Sequence, residues 1–311
     1  MKVKALSHYD GDKKTRFGDC ILGIGNNKLL VYDCGHEQHA ESVQEFLEKQ
    51  TRISEISIVI SHDDADHTNG VTALMDYLSN KDYAVTLYTS LYLKSVDEIQ
   101  ELLDDGRRKK SKTCEHILAL FGNIEKIVTA AQEYGFSVVN ALPETDVGLG
   151  TIVGPTEEEF VPVVAKAIEA DGQGIIDGET IMNAASLQVS CMLDDGSVLL
   201  LCGDASPEYL HDLDSYDIIQ LPHHGQLADA EAIWDKLDDP HVKEYLISDN
   251  TGTGHNSGGS DKLTKKMKED KFSPAHNTKD GVVELPTEKN NSQKSSGKGV
   301  RLGVLDCGPR H

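Results

Sequence analysis

The segment His62-Asp63-Asp64-Ala65-Asp66-His67 places two histidines and three aspartates within six residues. It follows directly on Ile56-Ser57-Ile58-Val59-Ile60, an apolar-rich run of the kind that forms a buried strand. Charged groups at the end of such a strand are hard to explain by packing, because burying them is costly unless they are paired or bind something. Imidazole nitrogen and carboxylate oxygen are the donor set of zinc, manganese and iron. The spacing therefore predicts a metal site. A helix starting after the loop would bring Asp66 and His67 beside the strand-end pair His62 and Asp64. The chemistry of such a site is metal-assisted hydrolysis, in which a bound water is acidified toward a pKa of about 7. Asp66 is placed to orient that water and take up its proton. A nearby imidazole, which titrates near neutral pH, could protonate the leaving group. His223 and His224 are adjacent, so on a strand they would face opposite sides. At a strand end followed by Gly225, both could reach a common site.

Elements able to position these residues alternate along the chain. Cys20 to Ile24 and Leu29 to Tyr32 flank Gly25-Asn26-Asn27, which predicts a hairpin. His39 to Glu48 has helical spacing, with Val43, Phe46 and Leu47 as its apolar face. Thr68 to Leu78 reads as a helix and Tyr83 to Tyr88 as a strand. Ser95 to Tyr134 is mostly helical in pattern, and Glu157 to Ala170 is another helix candidate despite Pro162. Strand-like runs resume at Leu187–Leu193, Val198–Cys202, Ile218–Leu221 and Tyr245–Ser248, followed by a helix over Asp261–Lys268. Val300 to Cys307 could form a closing strand. The expected organisation is α/β, one domain over 1–311, with a helical insertion at about 95–182 and a polar, flexible loop at about 288–298.

The motif His62-x-Asp64-x-Asp66-His67 resembles the signature of the metallo-β-lactamase superfamily, and other pieces fit in the family's order. The resemblance implies a four-layer αββα metallo-β-lactamase-like sandwich binding one or two divalent metals, zinc or manganese, with iron also compatible. It implies that Asp33, in Leu30-Val31-Tyr32-Asp33-Cys34-Gly35, supports the site from behind. It places Asp204, after the run Val198 to Cys202, as the carboxylate between two metals, and His255 of Gly254-His255 as a late ligand. His223 and His224 of Pro222-His223-His224-Gly225 fall where the family has an acid or ligand; either could protonate the leaving group, with His223 favoured and one functional beside one packing histidine as the plainer alternative. The nearest subgroup is similar to the β-lactamase-like domain of DNA-uptake competence proteins, on Gly18-Asp19-Cys20, Asn183-Ala184-Ala185-Ser186-Leu187 and Leu221-Pro222-His223-His224-Gly225. Two departures stand out. Asp64 occupies a position more commonly His, and the family's middle histidine ligand is missing. His116, in the expected insertion, is the only histidine in that interval.

Composition narrows the function. The chain carries 52 acidic and 30 basic residues, a formal charge of −22. Such a field disfavours long duplex nucleic acid and anionic membranes. It leaves room for a small or single-stranded anionic substrate at a site where metals invert the local field. Arg107-Arg108-Lys109-Lys110 is the one concentrated cationic run, with Lys262, Lys265 and Lys266 scattered beyond it. The leading expectation is a phosphodiesterase or nuclease. Hydrolysis of esters, lactones or amides, and a non-catalytic interaction protein on the same fold, are the alternatives. The insertion could be a lid, an interface with a second copy or a surface for a protein partner, and its pattern does not choose among them. The six cysteines lack a C-x-x-C and no apolar leader or membrane-length run is present, which predicts a reduced, cytoplasmic protein.

Overall fold

Strand β3 (Lys28–Tyr32) shows how the layers arise. Its Leu29 and Val31 point into one apolar cluster and its Leu30 and Tyr32 into another. A strand buried on both faces belongs to a sheet covered on both sides. The computed structural model describes residues 1–8, 17–90, 121–169, 175–176, 179–249 and 260–287.

Seven strands form the first sheet, in the order β15-β1-β2-β3-β4-β5-β6. These are β1 (Lys2–Ala5), β2 (Ile21–Gly25), β3, β4 (Glu55–Val59), β5 (Ala84–Thr89), β6 (Ser137–Asn140) and β15 (Val283–Leu285). Strands β2 and β3 make the expected hairpin, pairing Gly25 with Lys28 across an Asn26-Asn27 turn with Asn26 at φ +52°. From β3 to β6 the strands are parallel. The second sheet runs β14-β13-β12-β11-β10-β7. Its strands are β7 (Thr151–Gly154), β10 (Gln188–Met192), β11 (Val198–Leu201), β12 (Ile218–Gln220), β13 (Glu244–Ile247) and β14 (His276–Asn277). A two-residue pair, β8 (Ile175–Ile176) and β9 (Glu179–Thr180), stands apart.

The helices that matter for the layers and the site are α1 (Glu37–Glu48), α2 (Ala65–Thr68), α3 (Val71–Ser79), α4 (Gly122–Glu133), α5 (Glu157–Glu169), α6 (Ile181–Ala184), α7 (Leu227–Trp234) and α8 (Asp261–Glu269). Val43 and Leu47 of α1, Leu74 and Leu78 of α3, and Ile124 and Ile127 of α4 cover the outer face of the first sheet. Ile233 of α7 and Leu263 and Met267 of α8 pack on Leu200, Ile219 and Ile247, outside the second. Leu30, Tyr32 and Val59 meet Val189, Leu199, Leu201 and Leu246 between the sheets. The result is the expected αββα sandwich.

The described part of 95–182 departs from a helical insertion. Helix α4 is the crossover between parallel strands β5 and β6, and β6 and β7 are edge strands of the two main sheets. Their apolar cores are only Val138-Val139 and Ile152-Val153, too short for a periodic signal. Helix α5 runs through Pro162, because Val161, Val164, Ala165 and Ile168 bury a continuous apolar face. His116, the Arg107–Lys110 run, His255, the 288–298 loop and the expected strand at Val300–Cys307 lie outside the described residues. No described helix is long and apolar enough to cross a membrane.

Candidate metal centre

The loops that leave β3, β4, β11 and β12 at their C-terminal ends meet at one edge of the sandwich. They carry Asp33, the His62–His67 segment, Asp204, and His223 with His224. Each loop has a local reason for its shape. Asp64 precedes α2, and its carbonyl accepts hydrogen bonds from His67 N (3.0 Å) and Thr68 Oγ1 (2.8 Å), which turns Asp66 and His67 inward. Gly35 lets the β3 loop pass under α2. A Cβ there would stand 1.7 Å from the Asp66 carbonyl oxygen. His223 and His224 both take left-handed backbone angles, at φ +50° and +53°. This strained turn delivers both rings to the site.

A buried carboxylate lies at the centre. Asp204 Oδ2 is 3.5 Å from His67 Nε2, 3.7 Å from His223 Nε2 and 4.0 Å from His62 Nε2. Its Oδ1 accepts a hydrogen bond from His223 N at 3.1 Å. Nε2 of His62 and of His67 are buried and make no hydrogen bond. Orphaned buried nitrogens carry a desolvation penalty that a shared cation would remove. One donor atom each from His62, His67 and Asp204 lies within 4.8 Å of the others, so these residues fit a metal. Burial acts to raise the Asp204 carboxyl, but His223, His67 and His224 hold it well below the usual carboxylate range. Burial lowers the His62 imidazole.

A second group adjoins the first. His224 Nε2 is 3.1 Å from Asp66 Oδ2, and its Nδ1 donates to the Ser248 carbonyl at 2.8 Å and lies 3.2 Å from Asp19 Oδ1. Asp19, His67 and His224 also bring one donor atom each within 4.8 Å. The ring of Phe17 stacks on His224, with centroids 5.0 Å apart and planes 11° from parallel. Burial works against protonation of His224, yet Asp204, Asp19 and Asp66 raise its pKa well above that of free histidine. Burial likewise opposes charge on Asp66, but His224 and His67 hold it far below the ordinary range.

Carboxylates behind the rings fix their orientation. Asp33 Oδ2 accepts from His67 Nδ1 at 2.8 Å, and the same carboxylate accepts from Ser61 N (2.7 Å) and Ser61 Oγ (2.6 Å). His223 Nδ1 donates to Asp229 Oδ2 at 3.0 Å. Each aims the opposite nitrogen at Asp204, an arrangement typical of metal-binding histidines. Burial alone would lower His67, but Asp204 and Asp33 push it well above the ordinary value. Gln220 Nε2 donates to Asp19 Oδ2, and Asn183 Nδ2 to Asp64 Oδ2 at 3.1 Å.

The structure thus gathers His62, Asp64, Asp66, His67, Asp204, His223 and His224, with Asp33 directly behind. Asp64 sits at the rim, its side chain 47% exposed. Sequence reasoning missed Asp229, Ser61 and the role of Asn183. An acidic residue in the first turn of the helix after Pro222-His223-His224-Gly225 was the available signal for Asp229.

Comparison with known proteins agrees with this architecture. A family model described as the metallo-beta-lactamase superfamily matches residues 14–248. The chain belongs to that superfamily, whose fold is one of metal-dependent hydrolases. It is similar to the metallo-beta-lactamase fold protein YhfI from Bacillus subtilis, at 13% identity over 88% of this chain and 94% of that one, with a TM-score of 0.45. It is also similar to the short form of human tRNase Z, at 14% identity over 80% of this chain and 92% of that one, with a TM-score of 0.37. No curated protein sequence matches the chain.

Proposed function

We propose that this protein is a metal-dependent hydrolase of phosphodiester bonds in a small or single-stranded nucleotide substrate. The observation that carries the reading is the convergence of His62, His67 and His223 Nε2 on Asp204 Oδ2 at 3.5–4.0 Å. His62, His67, His223 and Asp204 would hold one divalent ion, zinc or manganese, with Asp64 at its rim. Asp66 and Asp19 would line a second position, which His255 would complete. An ion bound there supplies Lewis acidity and acidifies water.

The chain's own groups divide the remaining work. The Asp66 carboxylate, held ionised by His224 and His67, orients the attacking water and receives its proton. His224, kept protonated by its carboxylate neighbours, donates from Nε2 to the leaving oxygen while the Ser248 carbonyl holds its other nitrogen. His223 keeps its ring fixed through Asp229. The net charge of −22 argues for a short substrate over a long duplex.

The test is metal content by elemental analysis, with hydrolysis of bis-p-nitrophenyl phosphate in added manganese or zinc. The wild type is run beside Asp66→Ala and Asp204→Ala. One or two bound equivalents, with turnover that both substitutions abolish, is the expected result. Bound metal without phosphodiester turnover would transfer the assignment to esters, lactones or amides. Absence of metal would leave an interaction protein.

A further inference from the structure

Among the described residues, no side chain from the helix's own N-terminal flank caps α4. The residue before it, Phe121, contributes no capping side chain. The first N–H groups of a helix need partners from outside. Here they find one about sixty residues upstream, in the middle of the metal-binding segment. Asp63 Oδ1 accepts from Asn123 N at 3.0 Å and from Ile124 N at 2.7 Å. Asn123 returns the contact, its Nδ2 donating to the Asp63 carbonyl at 2.8 Å. A carboxylate at this end of a helix is favoured by the helix dipole as well.

Asp63 stands between His62 and Asp64, and its neighbours are tied elsewhere. Ser61 is bound by Asp33 at the end of β3, and Asp64 is met by Asn183 of α6. The bonds at Asp63 fasten the middle of the segment to a third element. That element is well anchored, since Ile124, Ile127 and Ala131 of α4 are buried against the first sheet. His62 Nε2 lies 4.0 Å from Asp204 Oδ2 and 3.8 Å from Asp64 Oδ2, a geometry that depends on where the loop is held.

We propose that Asp63 is a positioning residue, whose reciprocal clamp with Asn123 and Ile124 sets the approach of His62 and Asp64 to the metal. The inference rests on the metal-centre reading above. It makes α4 part of the metal centre's framework, although none of its residues belongs to the groups that could hold a metal.

The experiment titrates the full-length, metal-stripped chain with Zn2+ in competition with a chelator, and records the visible spectrum of the Co2+-loaded form. The variants are Asp63→Ala, Asp63→Asn and Asn123→Ala. Asp63→Ala is expected to weaken Zn2+ binding about 10- to 100-fold, as loss of a ligand-orienting partner does elsewhere. It should also shift the Co2+ bands. Asp63→Asn keeps an acceptor and should bind within about threefold of wild type, and Asn123→Ala should fall between. If Asp63→Ala melts earlier yet binds Zn2+ with wild-type affinity and an unchanged Co2+ spectrum, Asp63 is only a helix cap and the inference is overturned. If Asp63→Ala does not fold, Asn123→Ala decides, since wild-type affinity there overturns the clamp. A wild-type chain that binds no metal would instead sink the metal-centre reading itself.

Discussion

At the scale of single residues, Asp204 is the group on which the site depends. Replacing one partner in a buried charge cluster leaves the others uncompensated, at a cost of about 3–5 kcal/mol. In Asp204→Asn we expect metal content to fall below one equivalent and turnover to drop at least a hundredfold, read by elemental analysis and initial rates. Unchanged metal content would remove Asp204 from the centre. The histidines make a second prediction. Asp204 and Asp33 raise His67, and Asp204, Asp19 and Asp66 raise His224, above the unfolded value of about 6.5. Their contribution to the metal-free fold is therefore complete below that pH and is lost as pH climbs through their raised folded values. Chelated protein should melt progressively earlier from about pH 7 upward, whereas metal-loaded protein should not. Metal binding at neutral pH should also release protons, detected as a binding enthalpy that varies with the buffer's ionisation enthalpy. An enthalpy independent of buffer would contradict the protonated state of the metal-free His67 ring.

At the scale of elements, the site depends on close passages of backbone. Gly35→Ala forces a Cβ to 1.7 Å from the Asp66 carbonyl oxygen, so α2 or the β3 loop must move. Overpacking of this kind costs roughly 1–3 kcal/mol. We expect a lower melting temperature together with weaker metal binding, measured on the same sample. Lower stability with normal binding would show that the strain relaxes away from α2. Elements of this kind mark the boundary of what the sequence made legible. The His62–His67 motif was readable because five ionisable groups directly after a buried strand have no packing explanation. Helix α1, the β2–β3 hairpin and strands β10 to β13 were readable from periodicity, to within a residue or two. Strands β6 and β7 were not, because edge strands with two apolar residues carry no period. Asn183 was not, because its partner Asp64 lies far along the chain and only folding brings them together; Asp229 lies six residues beyond His223, but one acid in the first turn of a helix reads as ordinary capping. Nor does the Asp63–Asn123 pair leave a trace in any local window.

At the scale of the whole molecule, charge governs encounter. A chain of net charge −22 repels an anionic substrate at a distance, and salt screens that repulsion. With bis-p-nitrophenyl phosphate, kcat/KM should rise a few-fold from about 20 to 200 mM salt, while an uncharged ester should show no such trend. A fall with salt would mean that a local positive field dominates the approach.

The centre also has a mechanical meaning. Asp33, His62 and His67 extend from strands of one sheet, and Asp204 and His223 from strands of the other. An ion shared among His62, His67, Asp204 and His223 would act as a rivet through the seam of the sandwich, with Asp33 behind it. It would stabilise the folded chain by about 4 kcal/mol at free metal a thousandfold above its dissociation constant. The lifetime of this protein in a cell would then follow metal supply. In a metal-starved cell the two halves would part more often, and proteases would meet the chain before any substrate did.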